Sequence, residues 1–394
     1  MRRLRTASLP RLLAFVAVLV AVVAGAGIAQ AALTGAQKPA PKALDQAVLD
    51  AVNAPDVQGV TARIEFTNNL LPSGSLPRDT ASPTLTGATG RLWLGRNGAL
   101  RLELQSTNGD AQLVSDGKKF LFYDATSKSA FTGTLPQDDK TKPAAPDKPA
   151  TLADVQKGLA KLGEMWQLSG ATPTTTGNRP SYTVRIAPRD DGGLLGAAEL
   201  AWDAARGVPL RAAIYAQGST KPVLELKATD VSYGPISATQ LDTTPPAGAK
   251  VTELNPPSGV DPQGRPTHVT GVADVQKQLD FPLAAPDTLA GLPRKSVSLV
   301  RFGDSKGALA TYGQGLGAIA VFQRKADPSG EKPMLGGGGR DGIKLPQVNI
   351  DGDTGQEIAT ALGTLVTFDS GGVTYIVAGS VPPVAAENAA RGLK

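Results

Sequence analysis

The sequence predicts an α+β protein in which antiparallel sheet dominates. Successive runs between residues 60 and 233 alternate apolar and polar side chains with a period of two, and Asn-Gly or Asp-Gly steps mark tight turns between several of them. Only two segments between residues 43 and 233, 43–54 and 152–166, repeat apolar residues at helical spacing.

Residues 1–31 read as an export signal. Arg2, Arg3, Arg5 and Arg11 precede an unbroken apolar run over 12–28, and Ala29-Gln30-Ala31 supplies the small-x-small pattern of a cleavage site. The alternative is an uncleaved N-terminal membrane anchor, since the run is slightly long for a signal core and slightly short for a bilayer span. The expected location is therefore extracytoplasmic. The chain of 394 residues carries formal net charge +5, and removing the four leader arginines lowers it to +1. The remaining basic residues are interspersed with acids rather than gathered in a stripe, which argues against nucleic acid as a partner. With no cysteine, neither a disulfide nor a lipid-acylated cysteine is available, and stability must come from buried apolar surface. The length suffices for two cores.

A polar segment over 37–42 leads to a helix over 43–54, with Leu44, Val48, Leu49 and Val52 on one face. From Val60 the period becomes two, placing Ala62, Ile64 and Phe66 on one side of a strand. Leu92 and Leu94 share a face, as do Leu100, Leu102 and Leu104, with a hairpin turn at Asn97-Gly98 between the runs. A second hairpin turns at Asp116-Gly117 between 112–115 and 119–124. The Pro, Lys and Asp content of 135–150 predicts a loop. A second helix is expected over 152–166 through Val155, Leu159, Leu162 and Trp166. Strands are expected at 182–186, 198–203, 210–216 and 223–233.

Pro245-Pro246 and Pro256-Pro257 interrupt this pattern, and 254–270 reads as a Pro-rich linker. A smaller α+β unit is expected over 271–394. Its strands fall at 296–302, 317–323, 364–369 and 373–381, with a closing helix over 384–393. Gly336 to Gly339 reads as a loop.

The inventory of catalytic groups is thin. His268 is the only histidine and lies in the linker, so a conventional zinc site would have to rest on carboxylates. No Gly-x-Ser-x-Gly elbow accompanies it. The glycines at 336–339 lack the Gly-Lys-Ser/Thr ending of a phosphate loop, and Gly313-Gln314-Gly315-Leu316-Gly317 lacks the dinucleotide spacing. Asp351-Gly352-Asp353 lacks the full ligand ladder of a calcium loop and reads as a surface turn. Asp138-Asp139 and Asp190-Asp191 read as solvated loop acids. The expectation is a non-enzymatic protein with no metal and no cofactor; a hydrolase with an unrecognised site is the third reading, after two binding functions.

Two helical segments cannot cover both faces of so large an antiparallel sheet. Either a second sheet packs on it or the sheet curls around the helices, leaving an apolar concave face. Alternation reports burial and not what is buried against it, and periodicity alone favours a dry core.

Particular segments add to this reading. Val60-Thr-Ala-Arg-Ile-Glu-Phe66, Val114-Ser-Asp-Gly-Lys-Lys-Phe-Leu-Phe-Tyr-Asp124, Leu200-Ala-Trp-Asp-Ala-Ala-Arg-Gly-Val-Pro-Leu210 and the Pro245-Pro246-Ala-Gly-Ala-Lys250 exit resemble the periplasmic lipoprotein carrier family, with its LolA, LolB and LppX-like members. The resemblance spans about 43–253 and implies a half-open antiparallel β-barrel closed by helices, whose cavity holds acyl chains of lipids or lipoproteins. It implies cavity-facing roles for Ile64, Phe66, Leu92, Leu94, Leu102, Leu104, Phe120, Phe122, Val184 and Ile214, a set that a one-residue register error would invert. The added unit after Pro257 resembles the two-part arrangement of RseB-type regulators. That resemblance implies an alternative role as an envelope sensor engaging a membrane-bound regulatory protein, with contact to a membrane surface.

Overall fold

The computed structural model describes residues 38–71, 82–96, 98–107, 109–135, 149–189, 193–254, 269–302, 305–326 and 345–394. The expected leader, Asn97, Asp138-Asp139, Asp190-Asp191, His268, the glycines at 336–339 and most of the two predicted loop and linker segments lie outside the described residues.

Helix α1 (Leu44–Val52) leads into β1 (Val60–Asn68), and a one-turn helix, α2 (Pro83–Thr86), precedes a meander of β2 (Ala88–Leu94), β3 (Ala99–Ser106), β4 (Gly109–Asp116), β5 (Lys119–Asp124) and β6 (Ser129–Thr134). Helix α3 (Leu152–Gly163) is followed by β7 (Trp166–Leu168), β8 (Thr172–Thr176), β9 (Arg179–Pro188), β10 (Leu195–Asp203), β11 (Pro209–Ala216), β12 (Leu224–Tyr233) and β13 (Lys250–Leu254). These strands form one curled sheet in the order β13-β6-β5-β4-β3-β2-β1-β12-β11-β10-β9-β7, with β8 also on β9. Its ends do not pair with each other, so the barrel stays half open. All neighbours are antiparallel except β13, which adds to β6 in parallel.

Local chemistry accounts for the curl and the turns. Asp116 accepts backbone N–H bonds from Lys118 at 2.7 Å and Lys119 at 2.6 Å, closing the β4–β5 turn over Gly117 at φ 88°. At Gly90 the β3 backbone comes so close that a Cβ would sit 1.8 Å from the Glu103 carbonyl oxygen; only glycine permits that approach. A β-bulge between Arg63 and Ile64 adds further bend to β1.

Helix α3 begins with a capping box, in which Thr151 and Asp154 satisfy each other's backbone N–H. The predicted helix over 152–166 ends earlier, at Gly163, and Trp166 opens β7 against Pro188 instead. Strands β6 and β8 and helix α2 were not expected, being short and rich in Ser, Thr, Gly or Pro; β13 was not expected either, being short and exposed throughout.

The second sheet contains β14 (Thr288–Leu289), β15 (Leu292–Phe302), β16 (Ser305–Tyr312), β17 (Ile319–Lys325), β18 (Gln347–Ile350), β19 (Asp353–Thr360), β20 (Gly363–Ser370) and β21 (Val373–Gly379), in the order β14-β15-β16-β17-β21-β20-β19-β18. Helices α4 (Val272–Gln276) and α5 (Pro383–Arg391) accompany it; Val275, Ala386, Ala389 and Ala390 share its core with Val321, Val366 and Phe368. The end of the predicted linker belongs here: Val269 packs on this core and Thr270 bridges Ser298. Residues 315–317 form a 3-10 turn, so the expected strand at 317 starts at Ile319. Strands β16, β18 and β19 were not anticipated. Asp351-Gly352 is the turn between β18 and β19, as read from the sequence.

Candidate functional site

Cross-strand partners in a sheet project to the same side, so the pairing register sorts the candidate residues by face. One row runs Phe131, Phe122, Leu113, Leu102, Leu92, Ala62 across β6 to β1. A second runs Phe120, Ser115, Leu100, Leu94, Val60, and a third Val184, Leu200, Ala212, Leu226, Phe66. Gly90 joins Leu104 to Ile64, and Ile214 lies between Ala198 and Leu224. All ten residues singled out in the sequence therefore occupy one face of the first sheet.

Their surroundings differ along that face. At the β9–β10 end α1 lies on the sheet: Ala47 and Ala51 are buried with Tyr182, Val184 and Trp202, and Leu44, Val48 and Leu200 pack at the margin. Gly207, at φ 64°, lies under the end of α1 so closely that a Cβ would fall 2.3 Å from the Ala51 carbonyl oxygen. This is the glycine of the Trp-Asp-Ala-Ala-Arg-Gly segment, and its absence of side chain lets the helix seat on the β10–β11 turn. Helix α1 is tied to α3 by Gln156 to Asp45 at 2.8 Å, and to the segment before α3 by the paired bonds of Asn53 with Ala150.

The middle of the face is a packed core. Ile64, Leu104, Leu210 and Ala228 are buried, with Phe66, Leu92, Leu94, Leu102 and Leu226 partly buried against them. Towards β4 to β6 Leu113, Phe120, Phe122 and Phe131 on the same face are half-buried, while Ala111 and Ser115 are buried. Phe122 and Phe131 meet at 6.3 Å between ring centroids, and the Phe120 ring lies across Gly133. Leu254, at the end of the edge strand β13, is opposite Gly133 and 47% exposed. The apolar surface thus passes from a filled region under α1 to an open region of leucine and phenylalanine.

Charge is segregated to the other face. Glu199 accepts from Arg211 at 2.7 Å, Arg185 at 2.9 Å and the Tyr215 hydroxyl at 2.8 Å, and Arg211 continues to Glu225. Burial works against the Glu199 carboxylate, but the bonds from Arg211, Tyr215 and Arg185 outweigh it and hold its pKa below the usual range. A shallow cavity of about 320 Å³ also lies on that polar side, lined by Arg63, Glu65, Thr89, Arg91 and Gln105.

Sequence reasoning missed one feature of the outward face. Trp93, Val114, Leu121 and Ala130 lie on it and are buried, Val114 and Ala130 completely. The 3-10 turn Ala238–Leu241 crosses this side, with the Gln240 carbonyl accepting from Arg101 and Leu241 packed over Gly95. The alternation of Val114 with Leu113, and of Leu121 with Phe120 and Phe122, was the available signal: both faces of β4 and β5 are apolar.

Among the described residues no group of three or more His, Cys, Asp or Glu side chains is placed to hold a metal ion. No helix among them is long and apolar enough to cross a membrane.

No protein-family model and no curated protein matches the chain. Solved structures do. A structure of MucB in complex with MucA(peri) is 16% identical, covering 84% of this chain and 91% of that one, with TM-score 0.41. The MucA/MucB complex of Pseudomonas aeruginosa is 17% identical over 88% of this chain and 94% of that one, with TM-score 0.41. A LolA superfamily protein from Nitrosomonas europaea is 9% identical over 51% of this chain and 98% of that one, with TM-score 0.21.

Proposed function

We propose that this is an exported, non-enzymatic binding protein that holds the hydrocarbon chains of a lipid or lipoprotein on the concave face of its first sheet, within residues 43–253. The observation that carries the reading is the continuity of that face: ten apolar side chains in register, buried under α1 at one end and half-open at the other. Each methylene moved from water onto such a surface contributes about 0.8 kcal/mol, so an acyl chain can be held without a specific polar contact. Ile64, Leu104 and Val184 form the floor in this reading; Leu92, Leu94, Leu102, Phe66 and Ile214 form the walls, and Phe120 and Phe122 the open end. Selectivity would then reside at the rim.

Native mass spectrometry with lipid extraction, on protein purified without detergent from an exporting host, tests this. The expected result is an excess mass that resolves into lipid or acylated peptide. A bare mass that persists after incubation with envelope lipids would refute it.

A second reading, an envelope sensor that engages a membrane-bound regulatory protein, is favoured by the hydrogen bonds linking the two sheets. Leu194 N–H donates to Ser380 at 3.1 Å, and Ala361 N–H donates to the Leu70 carbonyl at 2.9 Å. Both contacts meet the end of the first sheet where β1 stops and β10 starts, so occupancy of the concave face has a route to the second unit. Deleting 271–394, with circular dichroism to check folding, separates the readings: lipid retention survives in both, and regulation is lost only in the second.

A further inference from the structure

We propose that the free edge of β13 is a strand-addition site for the polypeptide part of an acylated cargo, adjoining the open end of the apolar face. The inference rests on the lipid-holding reading of that face and adds a second, main-chain element of recognition to it. Strand β13 ends the first sheet, and its pairing fixes which backbone groups are free. Lys250 N–H donates to the Lys128 carbonyl at 2.8 Å, so Lys250, Thr252 and Leu254 turn their N–H and C=O groups towards β6. Val251 and Glu253 lie between them and turn theirs outward, away from the sheet. All five residues are exposed. Sheet edges are commonly blunted by proline or a bulge, whereas β13 has no proline and pairs with β6 without a register shift. Val251 at 51% and Leu254 at 47% are two of the five large apolar side chains exposed among the described residues.

The position of this edge identifies its occupant. Leu254 stands opposite Gly133, and the Phe120 ring lies across the same glycine, so Leu254 continues the concave row at its open end. A strand added to β13 lies three strand spacings from β5, about 14 Å. A hydrocarbon chain laid over Phe120 and Phe122 therefore brings the backbone to which it is attached to this edge. A polypeptide pairs there through main-chain groups, which are the same in every sequence, so one edge accepts cargoes of differing sequence. A free fatty acid or a glycerolipid has no ladder of N–H and C=O groups and gains nothing from it.

The test uses the full chain with three probes: palmitate, a hexapeptide of serine and threonine palmitoylated at its N-terminus, and the same lipopeptide methylated at every peptide nitrogen. The lipopeptide should bind at least about tenfold more tightly than palmitate, and its methylated form no better than palmitate. Glu253→Pro removes one outward N–H and leaves the inward groups of Lys250, Thr252 and Leu254 on β6. It should lose the advantage of the lipopeptide while palmitate binding is unchanged. Glu253→Gln keeps that N–H and should behave as wild type. Palmitate binding with no advantage for the lipopeptide, or an advantage that survives methylation, overturns the edge site and leaves the apolar face standing. Binding of neither palmitate nor lipopeptide overturns both. A dimer in sedimentation that Glu253→Pro dissolves while lipopeptide affinity holds also overturns the proposal, by assigning the edge to a second copy.

Discussion

Tyr233 donates its hydroxyl to the buried carboxylate of Asp203 at 2.6 Å, joining the last residue of β12 to the last residue of β10. Asp203 also accepts the backbone N–H groups of Ala205 and Arg206, so one side chain shapes the turn into β11 and anchors it to the sheet. Arg179 and Arg206 lie over the Tyr233 ring, with Arg179 4.9 Å from its centroid. This is the turn on which α1 sits, so the bond supports the closed end of the apolar face.

Replacing Tyr233 with Phe leaves the buried Asp203 carboxylate short of one donor. The expected cost is about 1.5–3 kcal/mol, read as a lower urea midpoint with an unchanged slope. Burial, reinforced by the Asp203 charge, pushes the Tyr233 phenol well above its ordinary value of 10.0. Its contribution is therefore complete below pH 10 and is lost as pH rises above that value, because the unfolded tyrosine ionises first. The difference in stability between wild type and Tyr233→Phe should shrink above pH 10; a constant difference would show that the bond does not depend on the phenol proton.

Much of this arrangement was readable from residue patterns, and the exceptions have physical causes. The register of β1 to β3 was legible because Ile64, Leu92 and Leu102 alternate with Arg63, Arg91 and Arg101, so only one register buries the leucines. The face assigned to Phe120 and Phe122 could not be settled in this way, since Leu121 and Val114 make the other side of β4 and β5 equally apolar. The 3-10 turn that crosses that side against β3 and β4 comes more than a hundred residues later in the chain, and no local period reports it. The parallel addition of β13 to β6 was likewise invisible, because Lys250–Leu254 is exposed throughout and carries no burial signal. Trp166 was placed on a helix by spacing alone, whereas its pairing with Pro188 decides its state.

The Glu199 network gives a prediction in acid. Because Glu199 is held below its ordinary value of 4.5, its contribution is present above that pH and is lost as pH falls through the lowered value. Glu199→Gln should destabilise the protein at neutral pH by about 1–3 kcal/mol, since Arg211 and Arg185 lose their shared carboxylate. As pH falls from 4.5 through the lowered value, the variant and the wild type should converge. Chemical denaturation across that range checks both parts, and parallel curves would show that the charge is not the source of the effect.

Glu357 behaves in the opposite sense. Burial, with a smaller effect from the nearby Glu387 carboxylate, raises its pKa above 4.5, and its Oε2 is buried without a hydrogen-bond partner. The folded state favours the protonated acid, so the protein loses stability as pH rises from 4.5 through the raised value. Glu357→Gln keeps the shape and removes the charge; it should stabilise the fold at pH 7 by on the order of 1 kcal/mol and have little effect near pH 4. Thermal melts at the two pH values measure this, and destabilisation at pH 7 would contradict it.

The apolar face yields the prediction that bears most directly on function, because its two ends should respond differently to substitution. Ile64 is 2% exposed in the packed middle, so Ile64→Ala removes buried methyls and should cost about 2–5 kcal/mol whether or not a lipid binds. Phe122 is half-buried at the open end, beside Phe131. Phe122→Asp should leave most of the fold's stability intact while placing a charge where a hydrocarbon chain would lie, an arrangement that costs several kcal/mol when the carboxylate is desolvated. Lipid recovered per mole of protein should therefore fall at least about tenfold, since each 1.4 kcal/mol is a factor of ten in affinity. Substituting the outward-facing Tyr123 with Asp, one residue away on β5, should leave lipid recovery unchanged and serves as the control for strand disruption. Equal recovery from the Phe122 and Tyr123 variants would place the ligand elsewhere; loss in Phe122→Asp alone would locate it on the concave side, at the end that α1 does not cover.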